Sequence, residues 1–161
     1  HRYGVKVLLN PAPAVKLDQS VLAAVDYLTP NETELSILTD MPTDTDHDVI
    51  AAAKALLKSG VKNIIATLGH RGALIVNAEL CEIVDGYRVK AVDTVAAGDS
   101  FNGALAVALT EGKTLPQAVR FANAMGALTV QINGAIPSLH TRMQLEDFIS
   151  AYGTPESILP R

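Results

Sequence analysis

The clearest indication of fold in this sequence is the stretch Asp93-Thr94-Val95-Ala96-Ala97-Gly98-Asp99-Ser100-Phe101-Asn102-Gly103. Its small residues are predicted to close a strand and then open a helix, in which apolar residues recur at helical spacing from Phe101 to Leu109. The unpaired N–H groups at the start of such a helix point outward and carry its partial positive charge. Because Ala97 and Gly98 have little or no side chain, an oxyanion can come close to the backbone, and the segment predicts an anion site.

Asp99 lies in the first turn of this predicted helix and has no basic neighbour in the sequence. A capping carboxylate at the helix N-terminus is one interpretation. The other is a general base, which accepts a hydroxyl proton while nearby N–H groups stabilise transferred negative charge. This segment alone leaves both interpretations open.

Short β-type runs alternate with helical patterns in the remainder of the chain. This alternation predicts an α/β fold with a mostly parallel sheet and an antiparallel edge. The predicted strands are 5–9, 26–29, 63–68, 73–77 and 82–84. The predicted helices are 18–25, 32–39, 46–59, 99–111, 115–132 and 142–152.

Length and composition limit the kinds of protein that this chain can be. A chain of 161 residues predicts one domain, 1–161, and 48% hydrophobic residues give it a core. The balance of 13 Lys and Arg against 17 Asp and Glu lacks the basic surplus that nucleic-acid binding requires. A single cysteine, Cys81, excludes an internal disulfide, and no apolar run approaches the length of about 18 residues that spans a membrane. We therefore predict a cytoplasmic protein with neither nucleic acid nor membrane as partner.

Several familiar sites are absent from the sequence. It contains neither the P-loop pattern of nucleotide triphosphatases nor the G-x-G-x-x-G of dinucleotide-binding domains. The four histidines, at positions 1, 47, 70 and 140, lack metal-ligand spacing and are predicted to lie on the surface.

The segment from Asp93 to Phe101 resembles the C-terminal signature of the ribokinase-like (PfkB) carbohydrate kinases. Further segments resemble motifs of this family in the same order, and together they cover nearly the whole chain. These are Asn10-Pro11-Ala12-Pro13-Ala14, which resembles a turn of ribokinases in particular, Thr29-Pro30-Asn31-Glu32-Thr33-Glu34, Thr67-Leu68-Gly69-His70-Arg71-Gly72 and Asn133-Gly134-Ala135-Ile136-Pro137-Ser138.

The resemblance implies a three-layer α/β/α fold of Rossmann-like type, with helices on both faces of a mostly parallel sheet. It also implies ATP-dependent phosphorylation of a primary hydroxyl of ribose or a related sugar. Asp99 would be the general base and contact the sugar, and the backbone amides of Ala97, Gly98 and Asp99 would form the anion hole. Phosphoryl transfer depends mainly on positioning and charge stabilisation, which makes this combination chemically consistent.

The same resemblance assigns Asn31 and Glu34 to the organisation of Mg²⁺ and phosphate, with Glu34 acting directly or through water. Three residues apart, they are expected to share a helix face. Taken without the other motifs, the pair favours a simpler interpretation, in which Asn31 caps a helix and Glu34 is solvated.

The implied nucleotide site consists of a loop and a helical asparagine, together with the Gly98–Asp99 segment. The loop residues are Thr67, Gly69, His70, Arg71 and Gly72, with glycine backbone close to the phosphates, and Asn123 would lie beside the adenine. An ordinary turn between strands and a surface asparagine are the alternatives. The family also implies a K⁺ site formed largely by backbone carbonyls, at Asp93, Val95, Thr129, Ile132, Gly134 and Ser138.

The sequence departs from the family pattern in two respects. Ala96 stands where the signature commonly has glycine. The N-terminal half of the family, with most of its sugar contacts and a small β lid, has no counterpart here, so the chain resembles a C-terminal half, and a homodimer is expected only of the full-length protein. The open alternatives are a related kinase for deoxyribose, a fructose derivative or a nucleoside, and a catalytically inactive nucleotide-binding fragment.

Overall fold

The computed structural model describes residues 4–153, which contain five strands and six α-helices. The chain order alternates between the two types, as the sequence pattern predicts. The strands are β1 Leu8–Leu9, β2 Tyr27–Leu28, β3 Asn63–Thr67, β4 Gly72–Val76 and β5 Cys81–Asp85. The helices are α1 Gln19–Leu22, α2 Glu32–Thr39, α3 Asp46–Lys58, α4 Ala97–Thr110, α5 Leu115–Thr129 and α6 Arg142–Tyr152.

The strands form one sheet in the order β1-β2-β3-β4-β5. The β1–β2 and β2–β3 pairs are parallel, whereas β3 and β4 are antiparallel, with Ile64 opposite Val76 and Thr67 opposite Ala73. This arrangement confirms the predicted α/β class and its mostly parallel sheet with an antiparallel edge. Consecutive buried residues in β3 and β4 explain why these strands have continuous apolar runs rather than alternating ones.

The first strand is shorter than its apolar run predicts. The prediction of a buried strand over 5–9 is wrong for its first part, since only Leu8–Leu9 is β-strand and Val5 is 67% exposed. Its partner β2 has only two residues, which limits the backbone ladder available to β1. Just before β1, the Val7 N–H donates to the Asp26 carboxylate at 2.9 Å rather than to the carbonyl of a neighbouring strand.

Helix boundaries follow the capping residues. The amide-bearing or hydroxyl-bearing residues Asn31, Thr45 and Thr141 begin α2, α3 and α6, each with a reciprocal side-chain bond three residues later. The prediction for α2 and α6 matches the observed bounds. Helix α5 ends at Thr129 rather than at the predicted Ile132, whose N–H forms a turn with the Thr129 carbonyl. No strand directly precedes α4, so the expected strand-to-helix transition there is wrong.

The chain divides into two compact units. Among the described residues, the first consists of 4–68 together with Ala73–Ile83, and its core packs α2 and α3 side chains such as Leu35 and Val49 against Ile64 of β3. The second consists of Gly69–Gly72 together with 84–153. One of its clusters packs the Tyr87 ring on α6, with the Tyr87 and Phe148 ring centroids 5.2 Å apart.

Candidate active site

The start of α4 leaves backbone donors open. Ala96 precedes the helix in the left-handed conformation, at φ 63° and ψ 3°, and supplies no side-chain cap. The Ala97 N–H donates to the Thr94 carbonyl at 3.2 Å, and the Ser100 N–H donates to the Ala96 carbonyl at 2.9 Å. Between them, the Gly98 and Asp99 N–H groups have no acceptor within residues 4–153. The expectation that the Ala97 N–H belongs to the anion hole is therefore wrong, because the Thr94 carbonyl already accepts it. The two remaining donors, at the positive end of the helix, can receive an anion.

Space at this helix start is open as well. A Cβ atom placed on Gly98 would have no atom within 4 Å. The Asp99 carboxylate is exposed and makes no hydrogen bond or ion pair within the described chain. Asp99 does not cap the helix, because the N-cap position belongs to Ala96. The capping interpretation of Asp99 is therefore wrong, and its carboxylate is available for chemistry.

A groove of about 400 Å³ opens beside Asp99 in the second unit. Its lining includes Ser100, Phe121, His140 and Arg142. The Ser100 hydroxyl and the His140 Nδ1 are buried without a hydrogen-bond partner within residues 4–153. The prediction of a surface position is wrong for His140, which is half-buried, and the only sequence signal for Ser100 is that it directly follows Asp99. Buried polar atoms without a partner indicate a polar group still to be supplied.

Asp93 forms hydrogen bonds that hold the segment before α4 in place. Its two carboxylate oxygens accept the Gly134 N–H at 2.9 Å and the Val95 N–H at 3.0 Å. The hydrogen bond from Gly134, followed by that from Val95, holds the pKa of Asp93 below its ordinary value. The structure thus brings together three of the six residues expected at the K⁺ site.

The other three expected K⁺ residues are Thr129, which is the last residue of α5, and Ile132 and Ser138, which come after it. The Thr129 carbonyl accepts the Ile132 N–H at 3.2 Å, and the Ser138 hydroxyl donates to the Ala135 carbonyl at 2.8 Å. Thr129 is fully buried, and its hydroxyl has no partner within the described chain. A buried hydroxyl oxygen without a partner is the kind of ligand that a cation with oxygen ligands can use. Residues 4–153, which exclude His1, contain no group of three His, Cys, Asp or Glu side chains suited to a metal.

Asn31, Glu34 and Thr67 come together in the first unit. The Thr67 N–H donates to the Pro30 carbonyl at 2.9 Å, and Asn31 forms a parallel bridge with Thr67. These residues follow the carboxyl ends of the parallel strands β2 and β3, where open α/β sheets bind ligands.

Asn31 and Glu34 form a helix cap, which was the simpler of the two sequence interpretations. The Asn31 side chain accepts the Glu34 N–H, and the Asn31 N–H donates to Glu34 Oε2, both at 2.8 Å. Asn31 is the N-cap rather than a residue on the helix face, so the expected shared face is wrong. Glu34 Oε1 has no partner within residues 4–153 and can accept from a water or bind a cation.

The two glycines of the expected nucleotide loop have different roles. A Cβ atom placed on Gly69, at φ 59°, would have no atom within 4 Å, so a ligand can approach the backbone there. Gly72, at φ 100°, would place a Cβ 2.1 Å from the Val84 carbonyl oxygen and 2.5 Å from the Gly86 nitrogen. Protein backbone already occupies that space. Gly72 therefore permits chain packing, and ligand approach is open only at Gly69.

The residues between these glycines form a single turn of 3₁₀ helix, Gly69–Arg71. His70 is exposed and Arg71 is half-buried. The Arg71 carbonyl accepts the Gly86 N–H at 3.2 Å, which closes the loop onto the segment after β5.

Asn123 is buried, in contrast to the surface position that is usual for an asparagine within a helix. Its side-chain amide donates to the Val84 carbonyl at 2.9 Å and to the Asp85 carbonyl at 3.2 Å. These bonds tie α5 to the end of β5 and use both hydrogens of the amide. Only Asn123 Oδ1 remains to interact with a base.

The first 142 residues match the model of the pfkB family of carbohydrate kinases. The chain belongs to the PfkB family of carbohydrate kinases. Among the curated PfkB relatives, ribokinase from Haemophilus influenzae is 40% identical over 146 residues, covering 91% of this chain and 48% of its own length. Deoxyribokinase from Salmonella typhi is 40% identical over 150 residues, covering 92% of this chain and 49% of its own.

A solved structure gives the same family assignment. Arabidopsis thaliana ribokinase, in complex with ribose and ATP, superposes with a TM-score of 0.87 at 36% identity. The match covers 92% of this PfkB chain and 48% of the Arabidopsis chain. The predicted ribokinase-like fold is thus confirmed, and the chain spans about half the length of the relatives it matches. No helix within residues 4–153 has the length and apolar composition to span a membrane.

Proposed function

We propose that this chain is the nucleotide-binding and catalytic part of an ATP-dependent sugar kinase, with Asp99 as general base. The observation that carries the proposal is the start of α4, where an exposed, unpaired carboxylate lies in the same helical turn as two open N–H groups. A base and an anion hole in one turn are what transfer of a phosphoryl group to an alcohol requires. The family membership of the chain agrees with this chemistry.

In the proposed reaction, a primary hydroxyl of the sugar attacks the γ-phosphorus of ATP. A new O–P bond forms, the bond between the γ-phosphorus and the bridging oxygen of ADP breaks, and the hydroxyl proton passes to the Asp99 carboxylate. The Gly98 and Asp99 N–H groups donate to the phosphoryl oxygens as charge shifts onto them. Because these donors are fixed by the helix, they need little reorganisation during the transfer.

The described residues fit two cations as cofactors of this reaction. Glu34 Oε1 is a carboxylate oxygen without a hydrogen bond in the described chain, on the same helix start as Asn31, which bridges to Thr67; such an oxygen suits Mg²⁺ bound directly or through water. The K⁺ ion would be held mainly by backbone oxygens, together with the Thr129 hydroxyl, which has no partner within residues 4–153. The residues concerned are Asp93, Val95, Thr129, Ile132, Gly134 and Ser138. When bound, these ions would offset the negative charge of the triphosphate.

The substrate class proposed is a pentose. Relatives named ribokinase and deoxyribokinase show the same 40% identity to this chain, so the comparison favours neither ribose nor deoxyribose. A homodimer of the whole protein and a cytoplasmic location belong to the same proposal. We expect the 161-residue chain alone to release no ADP in response to sugar. The chain spans about half the length of its ribokinase relative, and the half of the family that carries most sugar contacts has no counterpart in it.

Calorimetric titration with a non-hydrolysable ATP analogue and Mg²⁺ tests the nucleotide site. We expect Gly98→Val to weaken binding by at least about tenfold, because its side chain would fill the open space in front of the helix start. Ala106→Val is the control, since it introduces a valine at an exposed position of the same helix, outside the lining of the groove beside Asp99. Asp99→Asn should largely preserve binding, because a base is needed for transfer rather than for affinity.

Two outcomes would contradict the proposal. One is equal weakening by Gly98→Val and Ala106→Val, which would indicate a general effect on α4. The other is the absence of analogue binding to wild-type chain that circular dichroism and a cooperative melt show to be folded.

A further inference from the structure

A second groove, of about 270 Å³, lies in the same unit as α4 and α5. It is lined by Tyr87, Lys113, Gln117, Arg120, Phe121 and Ile149. Lys113 follows the C-terminal end of α4, whereas Asp99 lies in its first turn, so the two are separated by about 20 Å along the helix. The groove is therefore remote from Asp99, although Phe121 lines both this groove and the groove beside Asp99.

The charge of this groove is positive. Its lining includes one ammonium and one guanidinium group and no carboxylate. Lys113 Nζ is 3.8 Å from Glu111, but Glu111 also pairs with Arg142 and is thus shared between two cations. Arg120 is half-buried and forms no ion pair within residues 4–153. A small anion in this groove would meet attraction from both cations and no close repulsion from the lining.

Tyr87 contributes a polar group that lacks a partner. Its side chain is only 5% exposed, and its hydroxyl is buried without a hydrogen bond in the described part of the chain. Burial raises the pKa of Tyr87, while the positive charge of Arg120 acts on the same hydroxyl in the opposite direction. The phenol is therefore a neutral donor within range of the Arg120 charge, and its hydroxyl has no acceptor among the described residues.

Gln117 adds another donor. The Gln117 Oε1 accepts the Thr114 N–H at 3.0 Å, which fixes the orientation of the side-chain amide. The end of the amide that remains for a ligand is its NH₂ group. The polar groups that the lining offers are thus an ammonium, a guanidinium, a phenol hydroxyl and an amide NH₂, all of which can donate.

We infer that this groove binds a phosphoryl dianion, as inorganic phosphate or as the phosphate of a small monoester. A guanidinium matches two oxygens of a phosphoryl group, and the neighbouring donors satisfy the others. The volume of about 270 Å³ accommodates a phosphate with a few carbon atoms rather than a nucleoside triphosphate. This site is additional to the ATP and sugar chemistry proposed at α4.

Titration of ¹⁵N-labelled chain with inorganic phosphate at constant ionic strength tests the inference. The Gly98→Val background suppresses phosphate binding at the start of α4, so that shifts of the Tyr87 and Gln117 amide resonances report the groove alone. In this background we expect Arg120→Gln to weaken the affinity by about tenfold or more, and Tyr87→Phe by about three- to tenfold. Arg88→Gln, which removes an exposed arginine outside the groove, should leave the affinity unchanged.

Parallel titration with glycerol phosphate distinguishes the two sources of the phosphoryl group. Tighter binding of the ester than of inorganic phosphate would indicate a monoester ligand, and equal or weaker binding would indicate free phosphate. The inference fails if phosphate shifts no resonance around Tyr87 and Gln117, or if Arg120→Gln and Arg88→Gln change the affinity equally. Should Tyr87→Phe not fold, the Arg120 and Arg88 variants still decide the result.

Discussion

The N-terminal ends of α2 and α4 differ in how their backbone N–H donors are satisfied. At α2, Asn31 and Glu34 exchange side-chain bonds with each other's N–H groups at 2.8 Å. At α4, Ala96 supplies no side-chain cap, and the Gly98 and Asp99 N–H groups have no acceptor within residues 4–153. One helix start is completed by the protein's own side chains, and the other has two N–H groups without an acceptor in the described part of the chain.

This difference separates a structural from a chemical use of the same feature. A capped helix start gains stability from its own side chains. An uncapped one lacks that stabilisation and keeps its positive end available for an anion. Mutations at α2 should therefore change mainly the free energy of unfolding, and mutations at α4 should change mainly nucleotide binding and catalysis.

The largest expected effect is on catalysis, from Asp99→Asn. In a hybrid enzyme in which this chain replaces the matching half of Haemophilus influenzae ribokinase, we expect kcat to fall by about 10²- to 10⁴-fold, because the proposed general base is lost. Steady-state ADP release in the presence of ribose measures the effect. Asp147→Asn, on the exposed face of α6, is the control for loss of a surface charge. A hybrid with Asp99→Asn that retains the kcat of the parent hybrid would disprove the role of Asp99.

A smaller effect is expected on stability from Asn31→Ala. Loss of the cap should lower the free energy of unfolding by about 1–2 kcal/mol, because the Glu34 N–H loses its acceptor. Asp99→Ala should lower it by only about 0.5 kcal/mol, since that carboxylate interacts only with the helix dipole. Urea denaturation of the two variants measures both values. Equal losses would remove the distinction between the two helix starts.

A gain of stability is expected from Ala96→Gly. Ala96 has φ 63°, a conformation that alanine adopts less readily than glycine. We expect the free energy of unfolding to rise by about 0.5 kcal/mol, with the nucleotide affinity unchanged because no side chain of Ala96 caps the helix. Urea denaturation and calorimetry test the two parts, and a loss of stability would show that the Ala96 methyl group makes necessary contacts.

The smallest effect concerns pH and Asp93, which holds the segment before α4. Because hydrogen bonds from Gly134 and Val95 lower its folded-state pKa below the ordinary value of 3.8, ionised Asp93 stabilises the folded state above that value. This contribution disappears as the pH falls through the lowered pKa. The difference in unfolding free energy between wild type and Asp93→Asn should therefore be largest at neutral pH and narrow below about pH 4. A difference that stays constant down to about pH 2 would contradict this role of Asp93.

Local signals predicted much of the fold. The capping residues Asn31 and Thr141 determine where α2 and α6 begin, and the apolar run 63–68 identified β3 almost to its last residue. The prediction of a strand over 5–9 is wrong for its first part, because apolar composition alone does not show whether a strand has a neighbour along its whole length.

Site residues that depend on distant contacts could not be predicted in the same way. The role of Gly72 follows from the approach of Val84 and Gly86, and the burial of Asn123 follows from its bonds to the end of β5. Neither contact leaves a signal in the neighbouring sequence. The helix start at 96–99 could be recognised as a candidate site because its open backbone depends on local residues.

Amide resonances of ¹⁵N-labelled chain, recorded with and without the non-hydrolysable ATP analogue and Mg²⁺, test the role of the α4 start most directly. We expect large downfield shifts of the Gly98 and Asp99 amide protons as they begin to donate to phosphoryl oxygens. A smaller shift is expected for Ala97, whose N–H already donates to Thr94. Binding of the analogue without a change at Gly98 and Asp99 would contradict the claim that the start of α4 is the phosphoryl site.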